Sequence, residues 1–300
     1  MLSILIPVYQ YDVRGLVREL HQQAQSLSVP WEIICLDDGS DEFWRLRNRE
    51  LAGFSGVNYE EASQNMGRSR VRNALAQRAR YPFLQFMDCD SGIVRPDFLQ
   101  KYTRALQADT VLCGGCVYAR ERPVQRELVL HWLYGKAREE IPVDQRAQRP
   151  HHAFKTNNFV VPASVIRQFP FDDRLRRYGH EDTLFGHELA LAGIPVQHLD
   201  NPLEHVGLEP IDVYLRKAEQ ALYNLAFLRQ QESVIQTRMT VAYTRLQRWG
   251  LSQLAEWAWR PLQGLFQRNL RSQHPDLRIF DAWRLGIFLR AMHGKSPIFQ

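Results

Sequence analysis

The chain has 300 residues, a net charge of +5 and a 45% apolar share. That suffices for one large domain with a real core, or one domain plus a substantial appendage. No stretch approaches the roughly 18 consecutive apolar residues of a membrane span, and four cysteines are too few for a disulfide scaffold.

The N-terminal run Ser3–Tyr9 reads as a first strand. It has no basic leader and is broken by Pro7, so it is not read as a secretory signal, and a cytoplasmic protein is expected. Arg14–Ser26 has helical spacing in Leu16, Leu20 and Ala24, and Trp31–Leu36 reads as a second strand ending in Asp37-Asp38-Gly39-Ser40-Asp41. Gly67–Ala79 is predicted helical and Phe83–Met87 a strand, which ends in Asp88-Cys89-Asp90. Phe98–Leu106 reads as helix and Thr110–Cys113 as strand. Residues 120–155 are polar and irregular, and a mobile loop is expected there. Thr156–Val161 reads as a strand, and Tyr178-Gly179-His180-Glu181-Asp182 leads into a helix closed by Gly193 and Pro195. Val196–Leu199 is a short strand, and from Ile211 the pattern is helical to the end, with breaks near Gly250, Pro261 and Pro275. Strands alternating with helices predict an α/β protein with a mostly parallel sheet. Ligands of such sheets bind outside the carboxyl ends of the strands, where both acidic clusters fall.

Asp88 and Asp90 are the most informative pair. Two carboxylates one residue apart, at the end of an apolar strand, can hold a hard divalent cation that keeps positions open for phosphates. An acidic turn is the plain alternative. Asp38 and its neighbours can accept hydrogen bonds from a base or ribose, or form a simple Asp-Gly turn. Asn65-Met66-Gly67-Arg68 precedes a helix whose free N–H groups suit an anion, with Arg68 in reach of a phosphate. Arg72 reads as part of a solvated basic face. Glu181 and Asp182 suit a helix N-terminus through the macrodipole, and a carboxylate there can also serve as general base, with Gly179 allowing a ligand to approach. His205 can ligate a metal, although a lone histidine is usually structural. Cys113-Gly-Gly-Cys116 has the spacing of a zinc or redox pair but has no second pair to complete it.

Taken together, these motifs resemble family 2 inverting glycosyltransferases of the GT-A fold, over about residues 1–208. The segment Phe171–Leu189 also looks like the C-terminal part of galactosyltransferase-type catalytic domains. The resemblance implies a GT-A domain over residues 1–210, with a Rossmann-like, mixed but mostly parallel sheet, followed by a basic helical extension over 211–300. It implies a nucleotide-sugar donor, in particular a UDP-sugar, with Asp38 at the uracil or ribose and Pro7 and Tyr9 lining that pocket. Asn65 and Arg68 belong to the same donor site, with Arg68 at the leaving diphosphate. Asp88 would touch the ribose side, Asp90 would bind Mn²⁺ or Mg²⁺, and His205 would complete the metal site. Asn157 and Asn158 would contact the donor sugar. Asp182 would be the catalytic base, and Glu181, next to Gly179, would help position the acceptor. That acceptor is expected to be a glycan or lipid-linked hydroxyl in cell-surface polysaccharide synthesis.

Processive synthases of this kind carry a Gln-x-x-Arg-Trp motif and membrane spans. Here Arg245-Leu246-Gln247-Arg248-Trp249 is a near miss with no span after it, so transfer of one or a few sugars is expected. From Ile211 onward 13 Lys+Arg stand against 6 Asp+Glu, a net of +7 that leaves −2 for residues 1–210. Trp249, Trp257, Trp259 and Trp283 are interleaved with this basic charge. Such helices bind anionic membrane surfaces, or pack on the catalytic domain or on a second copy in a homodimer. No nucleic-acid module is recognised. A nucleotidyltransferase would carry a Gly-rich loop and Lys where this chain has Pro7-Val8-Tyr9-Gln10. A catalytically inactive, membrane-docked nucleotide-sugar-binding scaffold is the alternative from another class.

Overall fold

A computed structural model describes residues 1–175, 177–231 and 235–299. The elements run, in chain order, β1 (Leu2–Val8), α1 (Arg14–Gln25), β2 (Trp31–Asp37), α2 (Glu42–Asn48), β3 (Val57–Glu61), α3 (Arg68–Arg78), β4 (Phe83–Met87), β5 (Ser91–Ile93), α4 (Phe98–Ala105), β6 (Val111–Cys113) and β7 (Cys116–Val117). They continue with α5 (Val129–Tyr134), α6 (Val143–Ala147), β8 (Asn158–Pro162), α7 (Ala163–Gln168), α8 (Glu181–Leu191), β9 (Val196–His198) and β10 (Leu203–His205). Helices follow to the end: α9 (Ile211–Gln230), α10 (Arg238–Arg248), α11 (Ser252–Trp259), α12 (Gln263–Leu270) and α13 (Leu277–Met292). The helical pattern expected from Ile211 also runs over residues 232–234 and 300, which lie outside the described residues.

The chain forms two compact units. The first takes in Met1–Tyr118, Glu139–Arg174 and Glu181–Gly207. Its main sheet has the order β3-β2-β1-β4-β8-β6-β9, and only β8 runs antiparallel to its neighbours. The mixed, mostly parallel α/β architecture is as expected. Its central strands are apolar on both faces because helices cover both. On one face Leu2, Ile4 and Ile6 of β1 pack with Leu16, Val17 and Leu20 of α1. On the other, Leu5 packs with Val71 and Leu75 of α3 and with Phe86 and Phe159.

Register then decides what meets at the sheet edge. Val8 pairs with Asp37, so β1 and β2 end level, and Phe86 of β4 pairs with Leu5, so β4 points to the same edge and stops slightly short of it. Because β8 is antiparallel, its first residue, Asn158, pairs with Met87 at the end of β4. A small second sheet, β5-β10-β7, sets His205 opposite Ser91.

The second unit takes in Ala119–Arg138, Leu175–His180 and Leu208–Gln300. Its centre is α13, where Trp283 is fully buried and stacks on Phe280 at 5.8 Å. Trp259 of α11 lies so close over Gly286 that no Cβ would fit there. Residues 120–155 differ from the loop expected of them. They hold α5 and α6, with Val129, Leu130 and His131 buried and His131 stacked on Tyr214 at 4.4 Å. The apolar run Val129–Tyr134 is short and flanked by charge, so its periodicity is hidden in the sequence.

Candidate active site

Asp38 follows β2 and is buried. Its carboxylate accepts from the backbone N–H groups of Met66 at 2.6 Å and Gly67 at 3.1 Å. Burial pushes its pKa up, opposed by those two donors. The bonds tie the Asn65–Gly67 loop to the end of β2 and so deliver Arg68 to the sheet edge. Gly39 makes this possible: its φ is +80°, and a Cβ would lie 2.5 Å from the Asn65 nitrogen. Asn65 itself is exposed. Pro7 is the penultimate residue of β1, and Tyr9, half exposed, follows the strand.

Arg68 and Arg72 are one turn apart on α3 and share two carboxylates. Arg72 is 1% exposed and donates to Asp88 Oδ1 at 2.7 Å, with Glu181 at 3.7 Å. Arg68 Nε donates to Glu181 Oε1 at 2.8 Å and reaches Asp88 Oδ2 at 3.5 Å. Arg72 is therefore a buried crosslink and not the solvated basic side chain that its sequence context suggested. The Arg pair joins the end of β4 to the start of α8.

Asp90 has different partners. Its Oδ2 lies 3.6 Å from Nδ1 of His205, and Val206 N donates to its carbonyl at 3.0 Å. Burial pushes the Asp90 carboxyl up, and His205 opposes the shift. Burial likewise raises Tyr11, with Asp90 adding to it. The His205 ring packs 5.3 Å from that of Tyr118, whose hydroxyl donates to Glu139. Gly207 passes directly against Asp90, where any Cβ would strike the carboxylate.

A carboxylate and an imidazole side by side suit a divalent cation of the Mn²⁺ type, and only a glycine at 207 lets the chain pass this close to the Asp90 carboxylate. Among the described residues no three His, Cys, Asp or Glu side chains converge. A metal held by Asp90 and His205 would have positions open to oxygens of a bound diphosphate. The residues fit such an ion.

Asp182, in the first turn of α8, is held from two sides. Thr183 donates to Oδ1 through its backbone N–H at 2.7 Å and its hydroxyl at 3.2 Å, while Lys155 Nζ donates to Oδ2 at 2.6 Å. Asn157 gives its carbonyl to Asp88 N at 3.3 Å. Asn158 is buried and committed to the scaffold. It donates to the carbonyls of Gly115 and Asn201 and accepts from Tyr102 at 2.7 Å. Gly179 belongs to the second unit. Its φ is +89°, and the group closest to a Cβ there would be Ala221 at 2.7 Å, so what approaches it is protein.

The sequence reading missed Lys155 and Gly207. Lys155 sits at the end of a segment read as loop, with nothing local to tie it to Asp182. Gly207 had a signal, because a glycine two residues after a candidate ligand invites close approach. Cys113 and Cys116 are free, buried thiols whose pKa values burial pushes up to about 12, a setting of low thiolate reactivity.

Residues 3–175, more than half of the chain, match the family model for glycosyl transferase family 2. The chain belongs to that family. Among curated proteins, none matches it significantly. Solved structures similar to it include the mannosyltransferase PcManGT from Pyrobaculum calidifontis, in complex with GDP-Man and Mn²⁺. That structure is 15% identical with a TM-score of 0.57, covering 98% of this chain and 86% of its own. S. aureus TarS 1–349 with UDP-GlcNAc is 15% identical, with a TM-score of 0.51 and coverages of 98% and 92%. Glucosyl-3-phosphoglycerate synthase from Mycobacterium tuberculosis, with Mn²⁺, UDP and glucosyl-3-phosphoglycerate, is 15% identical, with a TM-score of 0.52 and coverages of 76% and 79%. At such identities the likeness is one of fold, and the fold is GT-A. No helix among the described residues is long and apolar enough to cross a membrane.

Proposed function

We propose that this chain is a metal-dependent, inverting hexosyltransferase that uses a UDP-sugar and transfers to a hydroxyl of a glycan or a lipid-linked acceptor in cell-surface polysaccharide synthesis. The observation that carries the reading is the Arg68–Arg72–Asp88–Glu181 network. It links the end of β4, which bears Asp88 and Asp90, to the helix start that bears Asp182. Residues 1–210 form the catalytic domain, and 211–300 the helical extension.

The donor lies along the strand ends. Pro7, Tyr9 and Asp38 take the uridine, Asp88 its ribose side, and Asn65 the loop face of the same pocket. Asn157 contacts the sugar. Asn158, spent on the scaffold, holds β8 in place, and Gly179 shapes the approach of the chain to α8. Asp90 and His205 would hold Mn²⁺ or Mg²⁺, which would supply positive charge beside the leaving diphosphate.

An acceptor hydroxyl is a weak nucleophile. Asp182 removes its proton as the oxygen attacks the anomeric carbon. The new C–O bond forms on the face opposite the breaking one, the electron pair leaves with the nucleoside diphosphate, and the anomeric centre inverts. Arg68 stabilises the departing charge. Lys155 and Thr183 fix the rotamer of Asp182, and Glu181 orients the acceptor.

The test is Asp182→Asn. Release of UDP from a panel of UDP-sugars with glycan or polyprenyl-linked acceptors should fall by about 10²–10⁴-fold, the usual worth of a general base, with donor binding unchanged. Transfer at the wild-type rate removes Asp182 from the base role.

A further inference from the structure

The four tail tryptophans divide sharply. Trp259 and Trp283 are core residues, whereas Trp249 is 75% and Trp257 68% exposed. Leu251, Leu254, Leu262 and Leu265 are also exposed, so six large apolar side chains are left in water between residues 249 and 265, whereas the other exposed ones are scattered along the chain.

The cause lies in α11. Glu256 and Trp259 point inward, with Trp259 seated on Gly286. Leu254, Trp257 and Ala258 fall on the opposite side and are exposed. A helix apolar on both sides is normally covered on both, and isolated exposed leucines need no explanation whereas a contiguous patch does.

Charge says what covers it. Arg238, Val241, Arg245 and Arg248 recur at helical spacing on the exposed side of α10 and lead straight to Trp249. Between Thr237 and Pro275 the only acid is Glu256. It is buried and neutralised by Arg260, His293 and Lys295. The face therefore offers arginines, tryptophans and leucines and no exposed carboxylate. Tryptophan suits the headgroup level of a bilayer, and arginine adds attraction to anionic lipid. A protein partner of ordinary mixed charge would not require this one-sided composition.

We infer that α10–α12 dock this chain on an anionic lipid surface through Trp249, Trp257 and the arginine row of α10, without spanning the bilayer. Such docking gives the proposed lipid-linked acceptor a source, so to that extent it rests on the transferase reading. The exposure and charge of the surface do not depend on it.

The experiment is co-sedimentation of the full chain with vesicles of phosphatidylcholine alone and of phosphatidylcholine with phosphatidylglycerol. Tryptophan fluorescence is read in parallel, and calorimetric UDP binding as a separate measure. The wild type should bind the anionic vesicles with a blue shift and leave the neutral ones. Trp249→Ala/Trp257→Ala should weaken vesicle binding about tenfold or more, with UDP binding unchanged. Arg245→Glu/Arg248→Glu should do the same through charge. Absence of wild-type binding, or tryptophan variants that bind as well as wild type, overturns the assignment. So does a dimer that the tryptophan variants dissolve, which would give the face to a second copy. Loss of UDP binding by the wild type would instead count against the donor reading alone.

Discussion

Arg72 illustrates how a single residue's surroundings reverse its apparent character. In the sequence it is one of several arginines on a basic helix. In the fold it is buried between Asp88 and Glu181. Removing the buried charge leaves two poorly solvated carboxylates with Arg68 as the remaining guanidinium between them. Arg72→Met should therefore lower the unfolding free energy by about 3 kcal/mol in chemical denaturation. Arg68→Met, at a more exposed side chain, should cost about 1 kcal/mol or less. Equal losses would contradict the assignment of Arg72 as the crosslink. Asp38, Asp88, Asp90 and Asp182 were legible because each follows a strand or opens a helix. Their partners were not. Nothing in the local sequence joins Lys155 to Asp182 or Arg72 to Glu181, since those pairs are made by the way β8, α3 and α8 converge.

Among the elements, strands buried on both faces were the easiest to see: Phe83–Met87 is found as read, and Trp31–Leu36 extends by one residue. The edge strand β3, Val-Asn-Tyr-Glu-Glu, was missed because its polar residues face water and leave no apolar run. Helices α10 to α13 were legible as helices, but which tryptophan turned inward was not. That depended on the glycine at 286 and on where Glu256 found its partners. Glu256 of α11 accepts from Lys295 and His293, just past α13, and these hydrogen bonds with that from Arg260 hold its pKa down at about 2 despite burial. The folded value lies below the ordinary 4.5, so the stabilisation is fully present above pH 4.5 and is lost as pH falls toward 2. Glu256→Gln should cost about 2 kcal/mol at neutral pH. In urea titrations at several pH values, the gap from wild type should close on the acid side of 4.5. A gap independent of pH would mean that packing, not charge, is what Glu256 supplies.

At the scale of the whole molecule, charge and chemistry divide together along the chain. Acidic residues at the strand ends belong to the transferase fold, and the net +7 after Ile211 belongs to helices with exposed tryptophans. The family and the GT-A fold were legible from motif order, because a parallel sheet sends its functional residues to one edge whatever the intervening sequence. The make-up of the second compact unit was not, because Ala119–Arg138 and Leu175–His180 join it through packing with no marker in composition. On the proposed function, this edge binds a nucleoside diphosphate through a divalent cation on Asp90. That binding is tested most directly by calorimetric titration of UDP into the wild type and Asp90→Ala, each with and without Mn²⁺. The wild type should bind UDP in a Mn²⁺-dependent way, weakened tenfold or more, about 1.4 kcal/mol, when either the metal or the Asp90 carboxylate is removed. UDP binding indifferent to Mn²⁺, or equal in Asp90→Ala and the wild type, would contradict it.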